Sequence, residues 1–339
     1  MQTRAPKRTK FQANQEELKL RCAWLYYIEG MTQEQVAQHL GISRLKVLRL
    51  LAATREDGTV QITINAQAQS SVALQRSLEK HLGLSEAVVV PSSDQSEDSI
   101  ATVVGHATAR YISEQISDGL SVGVGWGATL QFCMRSLIWR EVSDMTVISL
   151  LGGLTRASAH NPSAVAWRMA EFYRTELYQI TAPVFVPESR LAEALWAQDD
   201  FCELRERARN VDMALLSVGD LSAHASIFRR GILPNEDAVS LRNAGAVGDV
   251  LCHFVDDTGS VIDHPVNRRV MAIDPADIRC VPKVVISSGG ARKAPAIRAG
   301  ILATGAKMLI TDEAAANALL KLPSIDEIPP TPDPSGQTL

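Results

Sequence analysis

Apolar and polar residues alternate at helical spacing between residues 32 and 51, in the segment TQEQVAQHLGISRLKVLRLL. This spacing predicts two short helices, each with one apolar face turned toward the other. The inward positions are Val36, Ala37, Leu40, Val47, Leu50 and Leu51. We expect the pair to form a helix-turn-helix, in which two helices cross at a tight turn.

The residues that flank these two helices support the same prediction. Thr32 is placed to cap the first helix, and Gln35, three residues later, can complete a capping box. Gly41 can end that helix in a left-handed conformation, and Ser43 can cap the second helix.

The second helix carries its basic residues on the face that points away from the apolar positions. Such a face suits DNA, because guanidinium and ammonium groups bind phosphates and base edges. An ordinary helical hairpin with a solvated basic face is the alternative interpretation. The predicted DNA-binding residues are Thr32, Gln33, Ser43, Arg44, Leu45, Lys46 and Arg49.

The hydrophobic pattern changes after residue 56. Asp57-Gly58 predicts a turn, and the alternation of Val60, Ile62 and Ile64 predicts a short strand or wing. Leucines at four-residue intervals between residues 71 and 83 then predict a helix. That helix either links two domains, packs against the same helix of a second copy, or packs within the rest of the chain.

From residue 86 onward, short β-branched runs alternate with amphipathic stretches. This rhythm predicts an α/β fold with a largely parallel sheet covered by helices on both faces. The predicted strands span residues 87–90, 120–124, 146–150, 183–186, 213–218, 283–286 and 308–310, and the predicted helices include residues 100–116, 162–175, 238–251 and 295–304.

These patterns divide the chain into four parts. The predicted parts are a helix-turn-helix head over residues 1–65, a linker helix over 66–85, an α/β body over 86–322 and a flexible tail over 323–339. The tail is rich in proline and small polar residues, which cannot bury enough surface to fold.

Charge follows the same division. Residues 1–65 contain ten Lys or Arg and six Asp or Glu, whereas the whole chain has a net charge of −4. A basic head on an acidic body is typical of proteins whose head binds DNA.

Composition excludes several other classes of protein. The 339 residues are 46% hydrophobic, yet no apolar run approaches the eighteen or so residues that span a bilayer, and the N-terminus has no signal-peptide pattern. The five cysteines form no CxxC pair, and the seven histidines lack metal-binding spacings. We therefore expect a cytoplasmic protein without a membrane segment, disulfide framework, metal or cofactor.

Glycine-rich and polar loops follow several predicted strands. Ligands bind at the carboxyl ends of strands in such sheets, so these loops together predict a pocket. Gly123-x-Gly125-x-Gly127 lacks the GxGxxG spacing that binds dinucleotides. The glycines and carboxylate that we assign to the pocket from these loops are Gly125, Gly127, Gly152, Gly153, Gly290 and Asp220.

The ordered set of motifs resembles the SorC-type, or sugar-binding, bacterial transcriptional regulators, and is nearest to the erythritol-regulator branch. The helix-turn-helix is followed in order by GVGWGATL, SLLGGLTR, APVFVP, GAVGDV and SSGGARKAPAIRAGILATGAKMLITD. The resemblance implies a body similar to sugar-phosphate isomerases that senses a small carbohydrate or polyol and forms oligomers. It also implies binding to double-stranded operator DNA, usually as a homodimer or homotetramer.

The resemblance also assigns polar residues to the effector site. They are Thr129, Asn161, Arg230, Asp249 and Lys293. A structural ion pair between Asp249 and Lys293 is the alternative for those two residues. Phosphate-sensing relatives can carry Arg directly before the Gly-Gly pair, where this chain has Leu151, so an uncharged sugar or polyol is favoured over a phosphorylated one.

We therefore expect a regulator of carbohydrate or polyol catabolism whose DNA affinity changes when its effector binds. Two other classes compete with this expectation. One is an enzyme similar to a sugar-phosphate isomerase with a helical appendage, in which Asp220, Asp249 or His224 would serve as the base. The other is a scaffold whose head binds protein, which the basic outer face of the second helix disfavours.

Overall fold

The computed structural model describes residues 10–60, 68–91, 96–154 and 161–325. Two compact units make up the chain, Met1–Ile64 and Asn65–Leu339. The predicted strand or wing at Ile62 and Ile64 lies outside the described residues, as do residues 326–339 of the predicted tail.

The first unit contains the predicted pair of helices and one more helix before it. Their bounds are α1 (Lys10–Ala23), which continues into a π-helical turn (Trp24–Ile28), α2 (Gln33–Leu40) and α3 (Arg44–Glu56). The caps are as predicted. The Thr32 hydroxyl accepts from the Gln35 N–H, Gly41 is left-handed with φ +63°, and the Ser43 hydroxyl accepts from the Lys46 N–H at 3.3 Å.

A small apolar core holds these helices together. It is formed by Cys22, Leu25, Val36, Ala37, Val47 and Leu51. Cys22 and Leu25 come from α1 and the turn after it, which the sequence pattern between residues 32 and 51 did not include. Leu50, predicted to face inward, lies half-buried at the edge of this core.

A seven-stranded parallel sheet forms the centre of the second unit, and the predicted fold class is confirmed. The strands are β1 (Glu86–Val90), β2 (Ser121–Val124), β3 (Thr146–Ser149), β4 (Glu176–Tyr178), β5 (Met213–Leu216), β9 (Lys283–Ser287) and β10 (Met308–Asp312). Their order in the sheet is β1-β10-β9-β5-β2-β3-β4. Because all strands run in one direction, their carboxyl ends meet at one edge of the sheet.

A second, antiparallel sheet of three short strands follows β5. The strands are β6 (Val218–Gly219), β7 (Gly248–Val250) and β8 (His253–Val255), in that order. The predicted strand over 213–218 is therefore two strands in two sheets, with Ser217 between them.

Helices occupy the connections between these strands. They are α4 (Ala68–His81), α5 (Glu97–Gln115), α6 (Ala128–Met134), α7 (Ser163–Tyr173), α8 (Ser189–Trp196), α9 (Asp199–Arg209), α10 (Ser226–Arg229), α11 (Asn235–Asn243), α12 (Pro275–Ile278), α13 (Ala294–Thr304) and α14 (Glu313–Leu319). Leu78 and Leu82 on and after α4 are buried in the core of this unit. Of the three roles open to this helix, the structure supports packing within the body.

Three predictions from the hydrophobic pattern were wrong in part. Residues 183–186 form only isolated bridges, because Pro183 has no N–H to donate to a ladder. The predicted helix over 238–251 ends at Asn243, since Gly245 adopts φ +93° and the following apolar residues pair as β7. At the predicted tail, the Pro323 carbonyl accepts from Arg298 Nε at 3.0 Å, so the chain still contacts the body there.

Within the described residues, no helix combines the length and apolar character needed to cross a membrane.

Candidate functional site: a polar cavity and a basic helix face

Three connections meet at the carboxyl edge of the parallel sheet. The segment after β9 crosses this edge as a 3-10 turn (Ala291–Lys293), the loop after β2 leads into α6, and α5 begins here after β1. Together they enclose a cavity of about 320 Å³, large enough for a small sugar or polyol. The lining residues are Glu97, Ile100, Ala101, Thr129, Gly289, Gly290, Ala291, Arg292 and Lys293.

Lys293 brings an unpaired cation to this cavity. Its ammonium makes no ion pair or hydrogen bond with any described residue. Burial lowers the pKa of Lys293, although the nearby carboxylates of Asp220 and Asp249 act in the opposite direction. The direct ion pair between Asp249 and Lys293, our alternative for these two residues, is not formed. A cation held without a partner in a cavity wall is available to a ligand oxygen.

Asp249 lies in β7, where it is buried, and it is not among the residues that line the cavity. One carboxylate oxygen accepts from the Cys252 N–H at 3.2 Å, and Gly219 pairs with Asp249 across the small sheet. A methyl group on Gly219 would overlap this carboxylate, so a larger residue at position 219 would require the Asp249 side chain to move. Burial raises the pKa of Asp249 to about 7, against the lowering effects of Cys252 and Lys293.

Asp220 and Glu97 hold Arg292 at the rim of the cavity. Arg292 Nε donates to Asp220 at 2.6 Å, and its terminal nitrogen pairs with Glu97. The second Asp220 oxygen accepts from the backbone N–H and the hydroxyl of Ser222, at 2.9 Å and 2.7 Å. Asp220 therefore orients Arg292 rather than offering a free carboxylate to a ligand.

Thr129 contributes an uncommitted hydroxyl. The residue is 3% exposed, lines the cavity and has no side-chain hydrogen bond to any described residue. Gly290, with φ +96°, donates its N–H to Asp312 at 2.7 Å, which shapes the turn that carries Lys293. The cavity thus presents one hydroxyl and one ammonium that lack partners among the described residues.

Other residues predicted for the effector site lie outside the cavity lining. Gly125 donates its N–H to Leu215 at 2.9 Å, and Gly127 lies against Ser217. Gly152 and Gly153 donate to the carbonyls of Met271 and Ala182 at 2.8 Å and 3.0 Å. At Gly152 an added Cβ would overlap the backbone of residues 182–184, so close packing of two backbone segments requires glycine there.

Asn161 and Arg230 also lie away from the lining. The Asn161 amide bonds both backbone groups of Leu154, at 3.0 Å and 2.8 Å, and accepts from Ser163, so its polar atoms are engaged within the protein. Arg230 is half-buried at the end of α10, where burial lowers its pKa and Asp98 opposes that effect. His224, the third base considered for an enzyme, is exposed.

Sequence reasoning missed Glu97 and the role of Arg292. Glu97 opens the helix that follows β1, so the rule that sites lie at strand carboxyl ends points to it. The pairing of Arg292 with two carboxylates joins residues 72 or more positions apart and leaves no local pattern. Among the described residues, no group of three His, Cys, Asp or Glu side chains is arranged to hold a metal ion.

The first unit presents a second candidate functional surface on α3. Arg44, Leu45, Lys46 and Arg49 are all exposed. Gln33 starts α2 beside the same turn, whereas the hydroxyls of Thr32 and Ser43 are engaged as helix caps. This surface matches the recognition helix of a helix-turn-helix, whose N-terminal residues reach base edges.

A helix-turn-helix joined to an α/β unit with a polar cavity defines a ligand-responsive transcriptional regulator. Comparison with known proteins identifies the family. The Sugar-bind family model, which describes a sugar-binding domain, matches residues 66–321. The chain belongs to this sugar-binding family of transcriptional regulators, and the resemblance seen in its motifs is confirmed.

Named relatives agree with this assignment. The chain is 31% identical to the erythritol catabolism regulatory protein EryD of Brucella abortus, over 91% of this chain and 98% of the relative. It is 30% identical to the deoxyribonucleoside regulator of Bacillus subtilis, over 90% and 97%. The full-length sorbitol operon regulator SorC of Klebsiella pneumoniae has the same fold, with a TM-score of 0.66 at 24% identity, over 91% of this chain and 100% of that one.

Proposed function

We propose that the protein is a DNA-binding transcriptional regulator of carbohydrate or polyol catabolism, and that a polyhydroxylated effector in the cavity controls its affinity for an operator. The observation that carries the effector half of this proposal is the unpaired Lys293 ammonium in the cavity wall. Proteins rarely keep such a group without a partner, because its desolvation is costly.

The polar groups around Lys293 suit vicinal hydroxyls. Lys293 and Thr129, which line the cavity, can donate to oxygen atoms on the same molecule, and Asp249, outside the lining, acts on the charge of Lys293. Ile100 and Ala101 give the cavity an apolar wall for the carbon chain. The relatives' names, which refer to erythritol, sorbitol and a deoxyribonucleoside, guide the choice of probes.

An unphosphorylated effector fits this charge arrangement better than a phosphorylated one. Arg292, the second cation of the lining, is already paired with Asp220 and Glu97. A phosphate dianion would therefore find only one cation of the lining, Lys293, that is not paired with a carboxylate, and it would approach the Glu97 carboxylate. Leu151, at the position where phosphate-sensing relatives carry Arg, is fully buried.

DNA binding is assigned to the exposed basic face of α3. The side chains of Arg44, Lys46 and Arg49 make no ion pair within the described residues, so their charges are available to phosphates. Two copies of the chain would place two recognition helices in half-sites about 34 Å apart or a multiple of this. The proposal places the protein in the cytoplasm with its operator, as a homodimer or homotetramer.

The isomerase alternative is less well supported. Both Asp220 oxygens are hydrogen-bonded within the protein, and His224 is exposed, which leaves Asp249 as the single candidate base among the three. The relatives are named as regulators. We therefore propose that the cavity binds its ligand without chemical turnover.

Replacement of Arg44 and Lys46 by Ala tests the DNA half of the proposal. We expect the double variant to lose specific binding, because two cations on the docking face are removed, while effector binding is unchanged. Fluorescence anisotropy measures binding to duplex DNA from upstream of the protein's own gene, against a random duplex at the same salt. A control variant, Arg110→Ala together with Lys80→Ala, changes the same charge on the other unit and should bind normally. Retained operator affinity in the first variant would contradict the docking assignment.

A further inference from the structure

The exposed face of α3 carries an aliphatic side chain among its basic residues. Phosphate binding by those basic residues does not explain why this aliphatic side chain is exposed. Leu45 is 58% exposed, although leucine is among the residues that are usually buried. The buried residues of this helix are Val47, Leu51 and Thr54. At 3.6 residues per turn, Leu45 and Arg49 lie on one line of the helix surface, on the side opposite these three.

Leu45 is also the second residue of the helix, directly after Arg44 and the Ser43 cap. The N-terminal residues of a recognition helix reach furthest toward the base edges in the major groove. Arg44, Lys46 and Arg49 surround Leu45 with cations that have no protein partner in the described residues. Phosphate contacts made by Arg44 and Lys46 would hold the leucine against bases rather than against solvent.

We propose that Leu45 reads one thymine in each operator half-site through the 5-methyl group of that base. This inference rests on the proposed docking of α3 in the major groove. Leucine has no donor or acceptor, so it can distinguish bases only by apolar contact. The thymine methyl is the hydrocarbon group that the four standard bases present in the major groove.

Arg49 defines where that thymine lies. It is four residues after Leu45, about 6 Å along the helix axis, which corresponds to roughly two base pairs. Arg pairs preferentially with the O6 and N7 atoms of guanine. A half-site therefore contains a thymine for Leu45 and a guanine for Arg49 within about two base-pair steps of each other.

Replacement of thymine by deoxyuridine tests the inference, since it removes the 5-methyl group and leaves every hydrogen-bonding group in place. The probe is the duplex that full-length wild-type protein selects from a random library, with each thymine replaced in turn. Anisotropy at one salt concentration gives the dissociation constants of wild type, Leu45→Ala and the control Leu48→Ala, whose side chain is 41% exposed on the same helix.

We expect one position per half-site where deoxyuridine weakens wild-type binding about fourfold, the effect of burying one methyl-sized group. The Leu48→Ala control should show the same loss at that position. Leu45→Ala should bind the thymine and deoxyuridine duplexes equally, because the group that contacts the methyl is absent.

The outcomes separate this inference from the proposed function. If a duplex is selected but no thymine matters, or if Leu45→Ala keeps the fourfold difference, the inference is overturned while DNA binding stands. If Leu45→Ala changes the oligomeric mass of the free protein and not its base preference, Leu45 contacts protein and the inference is also overturned. Failure to select any duplex would overturn both.

Discussion

The buried carboxyl group of Asp249 has a pKa that differs from that of an ordinary aspartate. It lies beside Lys293 without an ion pair, and burial raises its pKa to about 7. The neutral form is therefore favoured in the folded protein over a pH range in which an ordinary aspartate is charged. The protein keeps this unfavourable arrangement next to Lys293, which lines the cavity, and shifted pKa values are common near sites that bind ligands.

The stability of the protein should therefore depend on pH through Asp249. A carboxyl group whose pKa is raised by folding makes its full contribution to the free energy of unfolding below its ordinary pKa near 4. This contribution is lost as the pH rises toward 7. We expect the free energy of unfolding of wild type, relative to Asp249→Asn, to fall by up to about 1.4 kcal/mol per pH unit over this range. Urea unfolding at pH 5 and pH 8 measures the difference.

A control for this prediction is Asp263→Asn, which alters an aspartate on the protein surface. The free energy of unfolding of this variant should change with pH as that of wild type does. If the free energies of unfolding of wild type and Asp249→Asn differ by the same amount at both pH values, the raised pKa of Asp249 is contradicted.

Helix α3 illustrates which elements the sequence specifies locally. Its cap is Ser43, and its left-handed predecessor Gly41 separates it from α2. Each of these features depends on residues no more than four positions apart, so the sequence pattern alone predicted them. The buried strands of the parallel sheet were predicted for a similar reason, because continuous apolar runs are typical of strands covered on both faces.

Elements that depend on distant partners were not predicted. Strands β7 and β8 form because the chain turns back after Gly245 to pair with β6, and residues 238–251 keep a helical apolar pattern until that pairing overrides it. The same holds for the site. Thr129 and Lys293, which the family resemblance assigned to the site, line the cavity, whereas the pairing of Arg292 with Glu97 and Asp220 exists only in the folded sheet.

Loss of the Ser43 cap should destabilise α3 in a measurable way. Ser43→Ala removes the hydroxyl that accepts from the Lys46 N–H, at a cost of about 1 kcal/mol. We expect amide hydrogen exchange of the peptide that spans residues 44–56 to become about fivefold faster. Ser77→Ala, on the exposed surface of α4, serves as a control and should leave exchange in its own helix nearly unchanged. Unchanged exchange in Ser43→Ala would contradict the capping role.

The whole molecule combines two surfaces of opposite character. The unit that contains α3 is basic and exposes unpaired cations, while the larger unit carries the acidic excess and encloses the cavity. For a regulator, these two surfaces must be coupled, and thermodynamic linkage requires that the effector bind more tightly to one DNA-binding state than to the other. A coupling of about 1 to 3 kcal/mol, or five- to 150-fold in affinity, is typical.

The most direct test of this account is the operator affinity of the full-length protein with and without a saturating polyol. Erythritol, sorbitol and their phosphates are the probes, and anisotropy at constant salt is the measurement. We predict that one unphosphorylated polyol changes the wild-type dissociation constant at least fivefold, that Lys293→Met removes the response without weakening DNA binding, and that the surface control Lys321→Met responds as wild type does. A full response in Lys293→Met would contradict the account, because the cavity would then not be the site that controls DNA binding.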